Sequence, residues 1–368
     1  MKVKLGDIFE ISSGGTPLKS CPEYYGGDIP WVKTGDLKSE YIYGVEDFIT
    51  EDGLRNSSAK MYEEDTVLIA MYGATIGATS ILKISACTNQ ACAAFIRNDK
   101  VIPEYLYYFL KSQKKKFVKD GVGGAQPNIS AGYLKKVEME LLSIEEQRIV
   151  VDILDKITNI INRRNQELIA LDNLIKARFV EMFESVQETC EIGYYIKTLI
   201  AGKSLAGESE CENKVLKTGA VSFDYFDASQ MKNLPVDYKP QKEHLVNVGD
   251  IIISRMNTAE LTGAAAYVWS VPNKVYIPDR LWKAILEEKC NPIFVWQMLI
   301  QPSTKEQIQR ECSGTSGSMK NISKAGMLGI KVKKVNIDMQ NEFADFVKQV
   351  DKSKFKEKSC YIKYKILK

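Results

Sequence analysis

Residues 125–157 read AQPNISAGYLKKVEMELLSIEEQRIVVDILDKI, and residues 318–350 read SMKNISKAGMLGIKVKKVNIDMQNEFADFVKQV. Asn128, Ile129 and Ser130 fall on Asn321, Ile322 and Ser323, an offset of 321 − 128 = 193 residues. That offset holds without a gap through Ile144/Ile337, Gln147/Gln340, Asp152/Asp345 and Ile157/Val350. Upstream the match continues with small drifts. Lys33, Thr34 and Gly35 meet Lys217, Thr218 and Gly219, and Asp65 with its apolar run meets Asp250 with Ile251, Ile252 and Ile253. Solenoid repeats are about 20–50 residues long, so a period of this size means two copies of a whole domain-plus-helix unit.

The helical half of the unit begins at Ser143. Ser143 with Glu146 forms a capping box, which satisfies free N–H groups at a helix start. Val150, Leu154, Ile157, Ile161, Arg164, Leu168, Leu171, Ile175, Arg178 and Met182 then follow in alternating steps of four and three, and neither Pro nor Gly occurs from Ser143 to Val186. A helix of that length spans ~60 Å at ~1.5 Å per residue. A heptad seam asks for a facing helix. In the second copy Asn336 is the cap, and Phe343, Phe346, Val347 and Val350 supply the matching stripe. The tail from Ser359, SCYIKYKILK, leaves the heptad, so the second helix is expected to be shortened.

Ahead of each helix the pattern is mixed α/β. Ile29–Val32, Thr66–Met71 and Ala91–Ile96 read as strands, and Pro103 opens a short aromatic helix. The second copy repeats this order with Lys214–Leu216, Asp250–Ser254, Leu281–Leu286 and a helix at Pro292. The expected fold class is α+β: two tandem mixed α/β domains separated by long antiparallel coiled-coil helices, with an internal pseudo-twofold repeat. The expected boundaries are 1–142, 143–188, 189–335 and 336–368.

Composition narrows the chemistry. Of 368 residues 45% are apolar and 26% charged, which is ordinary for a globular protein. The longest uncharged stretch, Thr66 to Leu82, is broken by Gly73 and Gly77 and makes a poor bilayer span. Lys2, Lys4 and Asp7 are followed by no long apolar core, so no secretory leader is read there. Cys21, Cys87, Cys92, Cys190, Cys211, Cys290, Cys312 and Cys360 lack the close pairing of zinc sites, and scattered thiols fit a reducing cytoplasm. His244 is the only histidine, which removes most imidazole-based chemistry; beside Glu243 it reads as a solvated turn residue. Net charge is +3, and seven lysines after Asp351 exceed it, so the remainder is near neutral and composition permits nucleic-acid binding without requiring it.

Three motifs imitate catalysis. Gly202, Lys203 and Ser204 resemble the end of a phosphate loop, but Lys197 stands where its first glycine belongs. Asn291, Pro292, Ile293 and Phe294 loosely resemble an amino-methyltransferase tetrad, yet proline at a helix start explains both copies. Asp279, Glu287 and Lys289 imitate a nuclease core, but the first copy places Asn89 and Arg97 opposite the two acids. No catalytic residue and no metal ligand is assigned.

What remains are polar loop residues of the types that read bases and phosphates: Asn and Gln for adenine, Lys and Arg for guanine and phosphate. In the first copy these are Lys33, Thr34, Asn89, Gln90, Lys114, Lys115 and Gln126; in the second they are Lys203, Lys217, Thr218, Arg255, Asn257, Arg280 and Lys320. Asn128 and Asn321 are read first as turn residues, since Asn and Ser bond nearby backbone. For helix pairing the candidates are Leu154, Ile157, Ile161, Leu168, Leu171 and Ile175 against Phe343, Phe346, Val347 and Val350.

SSGGTP, IPWVKTGDL, MYGATIG, TNQACAAF, GGAQPNIS and SIEEQRIVVDILDKI together resemble the specificity subunit of type I restriction–modification enzymes, over essentially the whole chain. In the second copy Gly124, Ala125, Gln126 and Pro127 become Gly317, Ser318, Met319 and Lys320, a drift that fits a different target. The resemblance implies a non-catalytic subunit on double-stranded DNA. Its two target recognition domains would each read half of a split asymmetric site, and paired helices would set the spacer. It implies two methyltransferase subunits as partners, with an ATP-dependent restriction subunit able to join them. S-adenosylmethionine and ATP/Mg would then reside on those partners, with no cofactor on this chain and no membrane. A self-sufficient nuclease or methyltransferase, or a helical scaffold without nucleic acid, are the rival readings.

Overall fold

The computed structural model describes residues 1–121, 128–314 and 319–367, with side chains described up to Ser353. The chain is mixed α/β with long helices of 40 and 31 residues, and its contacts divide it into residues 1–162 with 364–368 and residues 163–363.

In the first unit the strands are β1 (Lys2–Lys4), β2 (Ile11–Ser13), β3 (Tyr25–Val32), β4 (Tyr41–Ile42), β5 (Phe48–Ile49), β6 (Met61–Tyr62), β7 (Val67–Ala70), β8 (Thr79–Leu82), β9 (Ala86–Thr88), β10 (Cys92–Phe95) and β11 (Glu138–Glu140). They form sheets in the orders β2-β10-β7-β8-β4 and β5-β3-β9-β6, with β1 paired to β11. β7 reads VLIA because both its faces are buried. Val67 and Ile69 pack with Phe95, Ile81, Leu106 and Leu110, whereas Leu68 and Ala70 pack with Val32, Tyr62 and Leu82. The helices are α1 (Leu5–Ile8), α2 (Glu51–Arg55), α3 (Pro103–Ser112), α4 (Lys114–Asp120) and α5 (Ala131–Lys136).

The long helix α6 runs Ile144–Phe183, and the boundary between the units falls inside it. Its start is the expected capping box: the Ser143 N–H donates to Glu146 Oε2 at 2.9 Å, and the Glu146 N–H donates to Ser143 Oγ at 3.3 Å. The Ser143 N–H and the Ser143 hydroxyl, which donates to the same Oε2 at 2.8 Å, hold the Glu146 carboxyl below the usual carboxylate range. At the far end the Lys333 ammonium donates to the carbonyls of Phe183, Glu184 and Val186 at 2.7, 2.7 and 3.0 Å, satisfying acceptors that a helix terminus leaves open.

The second unit contains β12 (Thr189–Glu191), β13 (Ile196–Ala201), β14 (Lys214–Leu216), β15 (Met231–Asn233), β16 (Ile251–Ser254), β17 (Met256–Asn257), β18 (Ala265–Tyr267), β19 (Val275–Tyr276), β20 (Leu281–Leu286), β21 (Lys320–Asn321) and β22 (Lys331–Lys333). Its helices are α7 (Pro292–Leu299), α8 (Pro302–Glu311), α9 (Lys324–Leu328) and α10 (Ile337–Leu367). The sheet orders are β13-β20-β16-β18 and β15-β14-β19, with β12 paired to β22 and β17 to β21. These orders repeat β2-β10-β7-β8, β5-β3-β9 and β1-β11 of the first unit. Again both faces of the central strand are buried, Ile251 and Ile253 on one core and Ile252 on the other.

Several expectations change. Asp65 does not correspond to Asp250. The N–H groups of Asp65 and Gly249 donate equivalently, to Leu82 O at 2.8 Å and Val268 O at 2.9 Å, and both residues have positive φ, 66° and 96°. A left-handed residue precedes each central strand, and Asp and Gly both tolerate it. His244 is not a solvated turn residue: it is only 6% exposed, because its carbonyl accepts from Ile277 N–H at 2.9 Å and draws the 3-10 turn Lys242–His244 against the core. The expectation of a shorter second helix is not among these changes: α10 has 31 residues against the 40 of α6, its backbone helical past Ser359.

Candidate nucleic-acid interface

In the first unit β3 and β9 run parallel, Trp31 opposite Cys87 and Val32 opposite Thr88, so both strands deliver their C-terminal ends to one edge. Lys33 and Thr34 follow β3, and Asn89 and Gln90 follow β9. The Asn89 N–H donates to Val32 O at 3.0 Å, and its side-chain oxygen accepts from Ala91 N–H at 3.1 Å, which fixes the turn. Lys33 lies 5.8 Å from the Trp31 ring and pairs with Asp47 at 2.5 Å. The glycine turn after β2 crosses this edge. Gly15 N–H donates to Thr88 O at 2.9 Å, and a Cβ on Gly14 would sit 1.9 Å from the same oxygen, so no larger residue fits. The Thr16 hydroxyl then bonds the Gln90 side chain. Lys33, Thr34, Asn89 and Gln90 are thus brought together. Lys114 and Lys115 are exposed on α4, and Lys114 lies against Gly77, in the loop that begins at exposed Tyr72. Gln126 lies outside the described residues.

The second unit builds a related edge from β14 and β19, also parallel. Lys217 and Thr218 follow β14, and Gly202 N–H donates to Pro278 O at 3.0 Å. The sequence that imitates a phosphate loop is therefore the counterpart of the Gly14–Thr16 turn. Ser204 bonds the Asp279 carboxylate as Thr16 bonds Gln90. Lys203, Lys217 and Arg280 are exposed.

Arg255, Asn257, Arg280 and Lys320 form a second grouping. Arg255 stands over the Trp282 ring at 5.5 Å, donates from Nε to Asn321 Oδ1 at 3.4 Å, and its N–H donates to Arg280 O at 3.1 Å. Asn257 pairs with Lys320 across β17 and β21, and the Lys320 ammonium donates to Gly314 O at 2.8 Å. Thr262, 2% exposed, ties this grouping together from below with bonds to the carbonyls of Thr258, Asn257 and Lys320 at 2.9, 3.2 and 3.4 Å. Nothing in its local sequence distinguishes it from a loop threonine.

The Asn-Ile-Ser elements are structural in both units. Asn128 bridges Tyr72 and Asn321 pairs with Met256. Ile129 and Ile322 are buried, and their N–H groups donate to Met71 O at 3.0 Å and Arg255 O at 3.2 Å. Ser130 and Ser323 cap α5 and α9.

Of the helix-pairing residues, Leu154 packs on the first unit's core beside Tyr105, Tyr108 and Phe109. Ile157, Ile161 and Leu168 are half-buried. Ile175 joins Phe343, Val347 and Val350 in the second unit's core, with Leu171 and Phe346 at its edge.

Chemically the edges offer hydrogen-bond donors and acceptors. Burial pushes the Cys87 thiol up to about 11 and the Cys92 thiol up to about 12. Among the described residues no group of three His, Cys, Asp or Glu side chains is gathered for a metal ion, and no helix is long and apolar enough to cross a membrane. Exposed Lys and Arg beside fixed Asn and Gln suit a surface in which cations meet phosphates and amides meet base edges.

Residues 1–170 match the family described as type I restriction modification DNA specificity domain. The chain is 34% identical over 185 residues to the type I restriction enzyme MjaIX specificity subunit of Methanocaldococcus jannaschii, covering 49% of this chain and 43% of that protein. It is 27% identical over 164 residues to the EcoR124I/EcoR124II specificity subunit of Escherichia coli, covering 43% and 41%. The matched segments thus span less than half of the length of these curated relatives. Among solved structures, a type I restriction–modification S subunit from M. genitalium aligns over 100% of this chain and 93% of its own, with TM-score 0.56 and 16% identity. A structure described as the complex assembly and conformational transition of the type I R-M system aligns with TM-score 0.59 and 14% identity, over 100% and 95%.

Proposed function

We propose that this chain, whose residues 1–170 match the type I restriction modification DNA specificity domain, belongs to that family and is the DNA-reading subunit of such a complex. The observation that carries the reading is the recurrence of the same strand orders in both units, each ending in a polar edge at the C-terminal ends of a parallel strand pair. In this reading the units are tandem target recognition domains, each contacting one half of a split asymmetric site on double-stranded DNA. Lys33, Thr34, Asn89 and Gln90 read the first half, with phosphate contacts from Lys114 and Lys115. Lys203, Lys217, Thr218, Arg255, Asn257, Arg280 and Lys320 serve the second. The helices α6 and α10 pair as a coiled coil that sets the spacer and docks two methyltransferase subunits. Those subunits carry S-adenosylmethionine, a further restriction subunit carries ATP and magnesium, and the assembly works in the cytoplasm.

Replacing residues 1–142 with the matching domain of a relative is expected to change one half of the methylated sequence and leave the other intact. Methylated-adenine mapping in cells carrying the chimera with its methyltransferase reads this directly. A simultaneous change in both halves would sink independent reading.

The nuclease rival turns on Asp279. Its carboxylate is exposed and bonds Ser204, as a surface turn would use it. Asp279→Ala is therefore expected to leave cutting by the assembled complex unchanged wherever DNA binding is unchanged. Loss of cutting with binding and methylation intact would favour the nuclease.

A further inference from the structure

We infer that Arg255 reads a guanine in the half-site met by the second unit, with Trp282 and Asn321 positioning its guanidinium. The inference rests on the DNA-reading function proposed above and assigns one base to one side chain. Arg255 directly follows β16 and is half-buried, whereas Lys203, Lys217 and Arg280 are exposed.

Its guanidinium lies 5.5 Å from the centre of the Trp282 ring, and its Nε donates to Asn321 Oδ1 at 3.4 Å. Both supports are fixed. Trp282 is 1% exposed and belongs to the second unit's core, and Asn321 is held by its strand pairing with Met256. The Trp282 indole N–H is buried without a hydrogen bond among the described residues. A phenylalanine would avoid that cost, whereas indole offers the strongest ring face to a cation. With Nε bonded and the guanidinium against the ring, the two Nη groups remain. Among the described residues no hydrogen bond or ion pair takes them.

Paired N–H donors in one plane, with no acceptor between them, match two adjacent acceptors. In the major groove guanine presents such a pair, N7 and O6. Adenine sets a donor beside N7, cytosine offers a donor, and thymine sets a methyl group beside its acceptor. A phosphate also presents paired oxygens, and the comparison of the two copies decides against it. Met71 is the counterpart of Arg255: their N–H groups donate to Ala91 O at 2.8 Å and Arg280 O at 3.1 Å, and their carbonyls accept from the N–H groups of Ile129 and Ile322. Ala93 is the counterpart of Trp282, since they pair with Ile69 and Ile253 across equivalent strands. Met71 is 2% exposed, so the first copy has neither the cation nor its platform. The phosphate backbone is the same along any duplex and would call for the cation in both copies. Bases differ between the halves of an asymmetric site, and the arginine and its ring occur together in one copy.

The test maps methylated adenines in cells carrying the full chain with its methyltransferase, then measures binding of the purified assembly to duplexes of the recognised sequence. The half-site left unchanged when residues 1–142 are replaced belongs to the second unit. It is expected to contain a G·C pair whose replacement by A·T weakens wild-type binding by about 5- to 150-fold at fixed salt. Arg255→Met, a side chain that the first copy accommodates at the same place, should bind both duplexes alike and methylate sites with any base at that one position. Trp282→Phe should lower discrimination at the same position and at no other, which a merely structural role would not do. Arg255→Lys keeps the charge without the planar fork and should lose most of the preference. A second half-site without such a G·C pair, an unchanged site in Arg255→Met, or full discrimination by Arg255→Lys would overturn the assignment. So would an equal loss on every sequence with a salt slope reduced by about 0.9, the mark of one lost phosphate contact. Each of these leaves the DNA-reading function standing. A wild-type chain that directs methylation to no defined sequence would remove that function as well.

Discussion

Phe343→Ala is expected to destabilise the second unit by about 3–5 kcal/mol, the usual cost of emptying a phenylalanine site in a packed core. Phe343 is fully buried, and its ring meets Phe179 at 5.4 Å, Phe183 at 5.5 Å and Phe294 at 6.5 Å, all edge-on. Such pairs contribute about 0.5–1.5 kcal/mol each beyond area burial. The same four rings join α6, α7 and α10, so the surrounding elements have little freedom to collapse into the space. For a unit of this size the loss corresponds to on the order of 10 °C in Tm. Urea unfolding followed at the tryptophans of the second unit measures it. Phe346→Ala, at the edge of the same core beside Arg178, is the internal control with a smaller loss. Equal losses at the two positions would show that the four-ring contact is not the centre of that core.

Gln147→Leu is expected to cost the first unit about 2–4 kcal/mol, although leucine fills nearly the same volume. The Gln147 side chain is 0% exposed; it accepts from Ile102 N–H at 2.8 Å and donates to Lys100 O at 2.9 Å and Leu142 O at 3.0 Å. It thereby fastens α6 to the turn that starts α3. Leucine leaves these backbone groups buried without partners, at about 1–3 kcal/mol each before relaxation. Trp31 is the tryptophan of the first unit, so its fluorescence in urea reports this loss separately. Hydrogen exchange at Ile102 N–H should accelerate with it. The second unit repeats the device: Gln340 accepts from Asn291 N–H at 3.0 Å and donates to Val335 O at 2.8 Å. With fewer bonds at stake, Gln340→Leu should cost less. Unchanged unfolding in Gln147→Leu would mean that water replaces the amide there.

Much of this organisation can be read along the chain. The capping box at Ser143, the absence of Pro and Gly through α6, and proline at the starts of α3 and α7 all act within a turn or two of backbone. Lys214–Leu216 and Leu281–Leu286 are strands with the bounds that their apolar runs suggest. The polar edges were partly legible as well, because Lys33, Thr34, Asn89 and Gln90 directly follow strands. Tyr72 was not, since its bridge to Asn128 joins segments distant in the chain, nor was the reach of Thr262 to the Lys320 carbonyl.

Sequence alone determined the repeat of residues 128–157 at 321–350, the mixed α/β character and the long capped helix. These follow from periodicity, caps and breakers, which are local properties of the polymer. Only the tertiary structure decided which residue answers Asp65, that His244 lies inside, and that Leu154 packs on α3. It also decided that one buried glutamine fastens each long helix to its domain. Those outcomes depend on hydrogen bonds and packing between segments tens of residues apart, and no short-range pattern encodes which distant carbonyl or ring will be there to meet them.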